Sequence, residues 1–277
     1  MTSFFCNTNE NEIKTMADLL LEIGAGGVAA LALNKPEVHN AFDDKLIADL
    51  TKALQKLDKD KKIRAVVLCA EGKSFSAGAD LKWMKRVAEY DEQENYYDAM
   101  KLGELLRTLN MMKKPTIARV HGAAYGGGVG LIAACDIAVG TTEAMFGLTE
   151  VRLGIIPAVI SPYVVAAIGE RHARRYFLTG ERFNAAEAYR IGLLNELAPD
   201  EESLDITISA MIEAILQGGP AAVMEAKDLI SAVAWRPVND SLIADTAERI
   251  ARVRASKEGK EGLDAFLNKR APNWIKK

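Results

Sequence analysis

Two glycine-containing loops and one glutamate are the residues best placed to do chemistry. The first loop, Phe75-Ser76-Ala77-Gly78-Ala79-Asp80-Leu81, follows the apolar run Ala65 to Ala70. The second, Val120-His121-Gly122-Ala123-Ala124-Tyr125-Gly126-Gly127-Gly128-Val129-Gly130, follows the apolar run Thr116 to Val120 and opens a small-residue helical segment. Consecutive glycines at a helix start leave backbone N–H groups unpaired, and such groups can hold a developing negative charge. Either loop alone reads as an ordinary tight turn. Two of them facing each other would make a two-donor oxyanion hole, and together they read as catalytic. Glu150, after Phe146-Gly147-Leu148-Thr149, is the carboxylate that could move a proton beside them.

The elements that must position these residues follow from periodicity. Leu19–Ile23 and Val28–Leu33 read as strands joined by a turn over Gly24–Gly27. Asp43 and Asp44 start a helix with Leu46, Ile47, Leu50, Ala53, Leu54 and Leu57 at helical spacing. Arg64 to Ala70 fits a strand buried on both faces. Lys82 to Asn110 reads as one charged helix with Met100, Leu105, Leu106 and Leu109 as its apolar stripe. Strands are expected at Thr116–His121 and Asp136–Val139, a helix at Gly126–Ala134, and a loop around Gly147. From Pro162 strand signals nearly vanish, and helical patterns recur at Tyr163–Ile168, His172–Leu178, Ala185–Ile191, Glu202–Leu216, Ala221–Ala234 and Ser241–Ser256. The expected organisation is a flexible leader over 1–15, an α/β core over 16–200 and a helical region over 201–277.

Composition narrows the classes. The chain has 277 residues, 49% apolar and 26% charged, with a net charge of −3, which suits a globular protein with a proper core. The absence of a long basic run or a membrane-length apolar run leads to an expectation of neither nucleic acid nor membrane as partner. The first fifteen residues resemble neither a secretory nor a mitochondrial signal, so a cytoplasmic protein is expected. Three cysteines, Cys6, Cys69 and Cys135, read as reduced thiols, and three histidines argue against a histidine-rich metal site or a catalytic triad.

The ordered motifs Asn34-Lys35-Pro36 with Asn40-Ala41, Ser74 to Leu81, Lys114-Pro115 through Gly128, Cys135-Asp136 and Phe146 to Pro157 resemble the crotonase (enoyl-CoA hydratase/isomerase) superfamily. The resemblance continues through Leu178-Thr179-Gly180, Ala188 to Leu193 and Phe266 to Trp274, covering nearly everything after Asp18. It implies an α/β fold, a spiral of strand-strand-helix units with a C-terminal helical trimerisation region. It also implies homotrimers or dimers of trimers and an acyl-CoA thioester substrate. No cofactor or metal is implied, because coenzyme A arrives as part of the substrate.

The resemblance further assigns the two oxyanion donors to the N–H groups of Ala79 and Gly127, and acid–base work to Glu150. Lys35, Ser76, Ala77, Asp80, Leu81, Lys82, Gly126 and Lys269 fall where relatives hold the substrate and its CoA. Lys82 and Lys269 are candidates for phosphates, Trp83 and Met84 for the acyl tunnel, and Arg152 for a distal substrate carboxylate. Each has a plainer reading as a core, capping or solvated residue. One departure stands out: two-acid hydratases carry a glutamate where this chain has Gly130. With the segment Pro157-Ala158-Val159-Ile160-Ser161-Pro162-Tyr163-Val164-Val165, this resembles the branch that includes 3-methylglutaconyl-CoA hydratases and relatives acting on branched glutaconyl thioesters. Asp80, Asp136 and Glu143 are the other acids near the motifs. The leading expectation is hydration of a short, branched or carboxylated enoyl-CoA. A Δ3,Δ2-enoyl-CoA isomerase, a thioester hydrolase and a non-catalytic CoA-binding paralogue remain alternatives, with RNA binding least supported.

Overall fold

The computed structural model describes residues 12–16 and 18–275. In chain order the elements are β1 (Glu12–Met16), β2 (Leu19–Gly24), β3 (Val28–Leu33), α1 (Asp44–Lys59), β4 (Ala65–Ala70), β5 (Ser74–Ser76), α2 (Leu81–Val87), α3 (Glu92–Asn110), β6 (Thr116–Val120), β7 (Ala123–Tyr125) and α4 (Gly127–Ala134). They continue with β8 (Ile137–Thr141), β9 (Met145–Gly147), α5 (Ser161–Thr179), β10 (Arg182–Asn184), α6 (Ala185–Arg190), β11 (Glu196–Ala198), α7 (Glu201–Gln217), α8 (Pro220–Val233), α9 (Asp240–Ala255) and α10 (Lys257–Leu267).

Two sheets result. The larger runs β1-β2-β3-β4-β6-β8-β11 and the smaller β10-β9-β7-β5. From β3 to β11 the large sheet is parallel. Its strands β3, β4 and β6 are buried at every position, which is why β3 and β4 read as unbroken apolar runs, while β6 buries Thr116 and Arg119 among its apolar residues. Helix α1 is capped by Asp43, whose carboxylate accepts from the Leu46 N–H at 2.7 Å. Its expected apolar residues all face the core. Helix α7 covers the other face, packing Leu204, Ile208 and Ile212 on Val28, Val67, Ile117 and Val139.

Several expectations are corrected. The expected 82–110 helix is two helices, because Asp91 and Glu94 form a capping box that starts α3 afresh. Met100 is exposed rather than part of its stripe. Gly147 ends strand β9 instead of lying in a loop, and two short strands, β10 and β11, follow Pro162. Three-residue strands carry too little alternation to be read from pattern. The expected leader overlaps β1, which pairs antiparallel with β2; residues 1–11, including Cys6, lie outside the described residues. Two helical patterns, 163–168 and 172–178, join into α5 across a break at Gly169, where φ is 74°. Beyond α7 the chain buries little: α8 has no buried residue, α9 only Leu242 and α10 only Ala265. No single helix among the described residues is long and apolar enough to cross a membrane.

Candidate active site

The small sheet positions the site. Strands β5, β7 and β9 are parallel neighbours, so the segments leaving their C-terminal ends emerge side by side. After β5 comes the Ala77–Asp80 loop, after β7 the glycine turn into α4, and after β9 the turn carrying Glu150. Ligand sites commonly form outside the carboxyl ends of parallel strands for this reason. On the far side of β9, Phe146 stacks on Phe183 of β10 at 5.6 Å, and Phe183 meets Tyr176 of α5 at 4.3 Å.

The two loops are pressed together by backbone. A β-carbon on Gly78 would lie 3.2 Å from the Tyr125 carbonyl oxygen, and one on Gly128 would lie 2.9 Å from that of Ser76. Between them sits Phe42. Its N–H donates to Gly78 O at 2.7 Å and its carbonyl accepts from the Asp80 N–H at 2.8 Å. This bridge brackets Ala79 and leaves the Ala79 N–H with no acceptor among the described residues. The Phe42 ring lies against Gly127, where a β-carbon would come within 2.6 Å of Cε2. Only glycine fits there without a shift. Gly127 is the first residue of α4, and its N–H likewise meets no acceptor among the described residues. Two free donors therefore flank one contact, with a helix N-terminus behind one of them.

Glu150 completes the constellation. It is half-buried, and its Oε1 would stand 3.2 Å from a β-carbon on Gly126, one residue before the second donor. Its Oε2 is buried without any hydrogen-bond partner among the described residues. Burial pushes this carboxyl above the ordinary glutamate range, opposed in part by a hydrogen bond from its own backbone N–H. A partly desolvated carboxylate with a raised pKa beside two free N–H donors can exchange a proton with a bound molecule while an oxyanion is held.

The other expected site residues divide. Ser76 is buried and structural: its hydroxyl donates to Asn40 O at 2.9 Å and accepts from the Gly78 N–H at 3.3 Å. Ala77 N–H donates to His39 O at 2.9 Å, which ties the first loop to the 35–43 segment. Gly126 donates to Gly147 O at 3.0 Å, joining β7 to β9 with a φ of 50°. Asp80 caps α2, accepting from the N–H groups of Lys82 and Trp83 at 2.8 and 3.0 Å. Leu81 and Lys82 are exposed at the rim, and Lys82 forms no ion pair among the described residues. Lys35 is not free: its Nζ pairs with Asp43 at 2.5 Å. Lys269 lies beyond α10, exposed, and none of the described hydrogen bonds or ion pairs joins it to the loops of this subunit. Arg152 is exposed and lies against Gly180.

The place left by Gly130 is occupied. A β-carbon there would come within 2.4 Å of Ile160 Cγ2 and 2.9 Å of Ile160 Cβ. None of the nearby acids fills it. Asp136 accepts from Thr116 and pairs with Lys227 at 2.7 Å, Glu143 is exposed in the turn after β8, and Asp80 is the cap. Sequence reasoning also missed Asn40, whose fully buried side chain accepts from the Lys35 N–H and donates to Glu71 O and Ser74 O, each at 2.8 Å. Its left-handed backbone, φ 54°, follows another at His39. The motif containing Asn40 was visible; its role was not. A cavity of about 430 Å³ lies at the opposite end of α4, lined by Ile132, Cys135, Asp136, Tyr163 and Asn195, and no expected site residue reaches it. Burial pushes the Cys135 thiol up to about 12, which favours its protonated form at neutral pH.

With this geometry in place, comparison with known proteins is informative. The family model described as Enoyl-CoA hydratase/isomerase matches residues 24–277. A Legionella pneumophila crystal structure, assigned to the enoyl-CoA hydratase/isomerase (crotonase) type, is 46% identical with a TM-score of 0.88, covering 94% of this chain and 100% of its own. The crystal structure of an enoyl-CoA hydratase from Shewanella pealeana is 42% identical with a TM-score of 0.89, covering 93% and 96%. A Thermus thermophilus protein assigned as an enoyl-CoA hydratase is 38% identical over 256 residues, covering 92% of this chain and 100% of its own. The chain belongs to the enoyl-CoA hydratase/isomerase family, within the crotonase superfamily, and has the crotonase fold. It is an enzyme of that family.

Proposed function

We propose that this protein hydrates the 2,3 double bond of a short enoyl-CoA, with Glu150 as its single acid–base group and the N–H groups of Ala79 and Gly127 as the oxyanion hole. Glu150 takes a proton from water as the water oxygen bonds to C3. The π electrons move onto the thioester carbonyl oxygen, which the two N–H groups hold as an enolate. The enolate then collapses, and C2 takes the proton back from Glu150. Each donor of this kind is worth about 3–4 kcal/mol of barrier. The observation that carries the reading is the buried, partnerless Oε2 of Glu150 beside two unpaired backbone donors. A desolvated carboxylate without a partner is costly unless a ligand engages it.

The acyl group is proposed to be branched or carboxylated, as in 3-methylglutaconyl-CoA. Support comes from Gly130, which offers no second acid, and from Ile160, which sets an aliphatic wall in that acid's place. Lys82 and Gly126 are proposed to contact the substrate, the former at its CoA phosphates. Lys269 is assigned to the CoA of a neighbouring subunit. A homotrimer, or a dimer of trimers, is proposed because the weakly buried α8–α10 region leaves Ile230, Trp235, Val238, Phe266 and Leu267 exposed.

The test is loss of the conjugated enoyl-thioester absorbance with crotonyl-CoA and 3-methylglutaconyl-CoA, each with and without Glu150→Gln. The expected result is turnover of the branched diacid that falls about 10²–10⁴-fold in the variant. A single carboxylate also suffices to move a double bond. Gain of conjugated absorbance from a 3-enoyl-CoA, without loss from either 2-enoyl substrate, would replace hydration by isomerisation. Binding of CoA thioesters with no turnover of any kind would leave a scaffold.

A further inference from the structure

Only two buried side-chain nitrogen or oxygen atoms among the described residues lack a hydrogen-bond partner. One is Glu150 Oε2, already placed beside the oxyanion donors. The other is the indole Nε1 of Trp83. An indole N–H can only donate, so what it lacks is an acceptor. Burying it unsatisfied costs free energy that a phenylalanine of similar shape would not.

The place of Trp83 in the fold ties it to the site. It stands four residues after Ala79, in the first turn of α2, and its backbone N–H is held by the Asp80 carboxylate at 3.0 Å. The cap therefore fixes this turn rigidly to the loop that presents the Ala79 donor. Around α2 the exposures divide sharply: Leu81, Lys82, Lys85 and Arg86 face solvent, while Trp83 packs against the main core. Trp83 is thus turned inward from the first turn of α2, opposite the exposed Leu81 and Lys82, and carries its unpartnered N–H into the core beside the loop.

We propose that Trp83 Nε1–H donates a hydrogen bond to an oxygen at the far end of the acyl group, so that Trp83 selects enoyl thioesters ending in a carboxylate. The proposal rests on the site assigned above, and it gives the distal carboxylate a buried donor, whereas Arg152 is exposed against Gly180.

The experiment separates binding from turnover. Glutaryl-CoA and pentanoyl-CoA have the same five-carbon chain, differ in the terminal carboxylate, and cannot be hydrated. Their dissociation constants are measured by calorimetry on the full-length protein and on Trp83→Phe, which keeps an aromatic ring and removes the donor. Wild type is expected to favour glutaryl-CoA, and Trp83→Phe to lose about 10-fold on glutaryl-CoA while holding pentanoyl-CoA within about 2-fold. Equal losses on both ligands would reduce Trp83 to a packing residue and overturn the proposal, as would an unchanged glutaryl-CoA affinity. Should Trp83→Phe fold poorly, Trp83→Leu also removes the donor and is read by the same ratio, with pentanoyl-CoA binding as its control for an intact site. Absence of turnover with enoyl substrates would count against the hydratase reading alone, since these constants do not depend on it.

Discussion

Restoring the acid that two-acid hydratases carry at the Gly130 position should fail in this protein unless Ile160 is cut back first. A β-carbon at Gly130 lies 2.4 Å from Ile160 Cγ2, at least about 1 Å inside ordinary carbon–carbon contact. Ile160 is 3% exposed and β-branched, so it cannot swing away cheaply. Overpacking of this kind costs up to about 3 kcal/mol, of which the helix preference for alanine over glycine returns about 1. Gly130→Ala should therefore destabilise by about 2 kcal/mol, or about 4–8 °C in Tm. Gly130→Glu should do worse, because its carboxylate would be forced among aliphatic groups. Ile160→Ala alone should cost about 3 kcal/mol through the cavity it opens. In Gly130→Ala/Ile160→Ala the new methyl enters that cavity, so the double variant should be about 2 kcal/mol more stable than the sum of the singles. Urea unfolding at one protein concentration measures the cycle, and crotonyl-CoA hydration by Gly130→Glu/Ile160→Ala asks whether a second acid then works. Additivity within about 0.5 kcal/mol, or a Gly130→Ala protein as stable as wild type, would refute the steric argument.

Glu150→Gln should trade activity for stability: thermal denaturation should show a gain of about 1 kcal/mol at neutral pH while turnover is lost, because a desolvated, unpartnered charge is removed. The raised carboxyl also has a pH signature. Above the ordinary glutamate value the folded state holds its proton more tightly than the unfolded chain, so the Glu150 contribution to stability falls as pH rises towards the folded pKa. Unfolding titrations of wild type against Glu150→Gln should show that slope in wild type alone, and the acid limb of kcat/KM should lie above the usual glutamate range. Gly127→Ala should push against Phe42 and displace the second donor, so steady-state kinetics should show about 10²–10³-fold lower kcat in protein that still binds CoA thioesters. Retained kcat in that variant would remove Gly127 from the oxyanion hole.

How much of this was legible in the sequence depends on whether a feature is local. Helix α1 announced itself through Asp43 and six apolar residues at helical spacing, and β4 through six consecutive buried residues. The glycines at 126–128 announced a helix N-terminus because their chemistry acts within one turn. What was missed is what three-dimensional neighbours decide. Strand β9 is three residues long and exists because β7 and β10 pair with it on either side, so Gly147 looked like loop. Phe42 reads as one more apolar residue, yet its backbone brackets Ala79 and its ring enforces glycine at 127. Ile160 stands thirty positions beyond Gly130, and nothing between them marks the pair. The absent glutamate was visible as a letter in the chain. The side chain that took its volume required the packing of the 157–161 turn against α4, and so the space beside position 130 is closed by that contact rather than by the missing side chain alone.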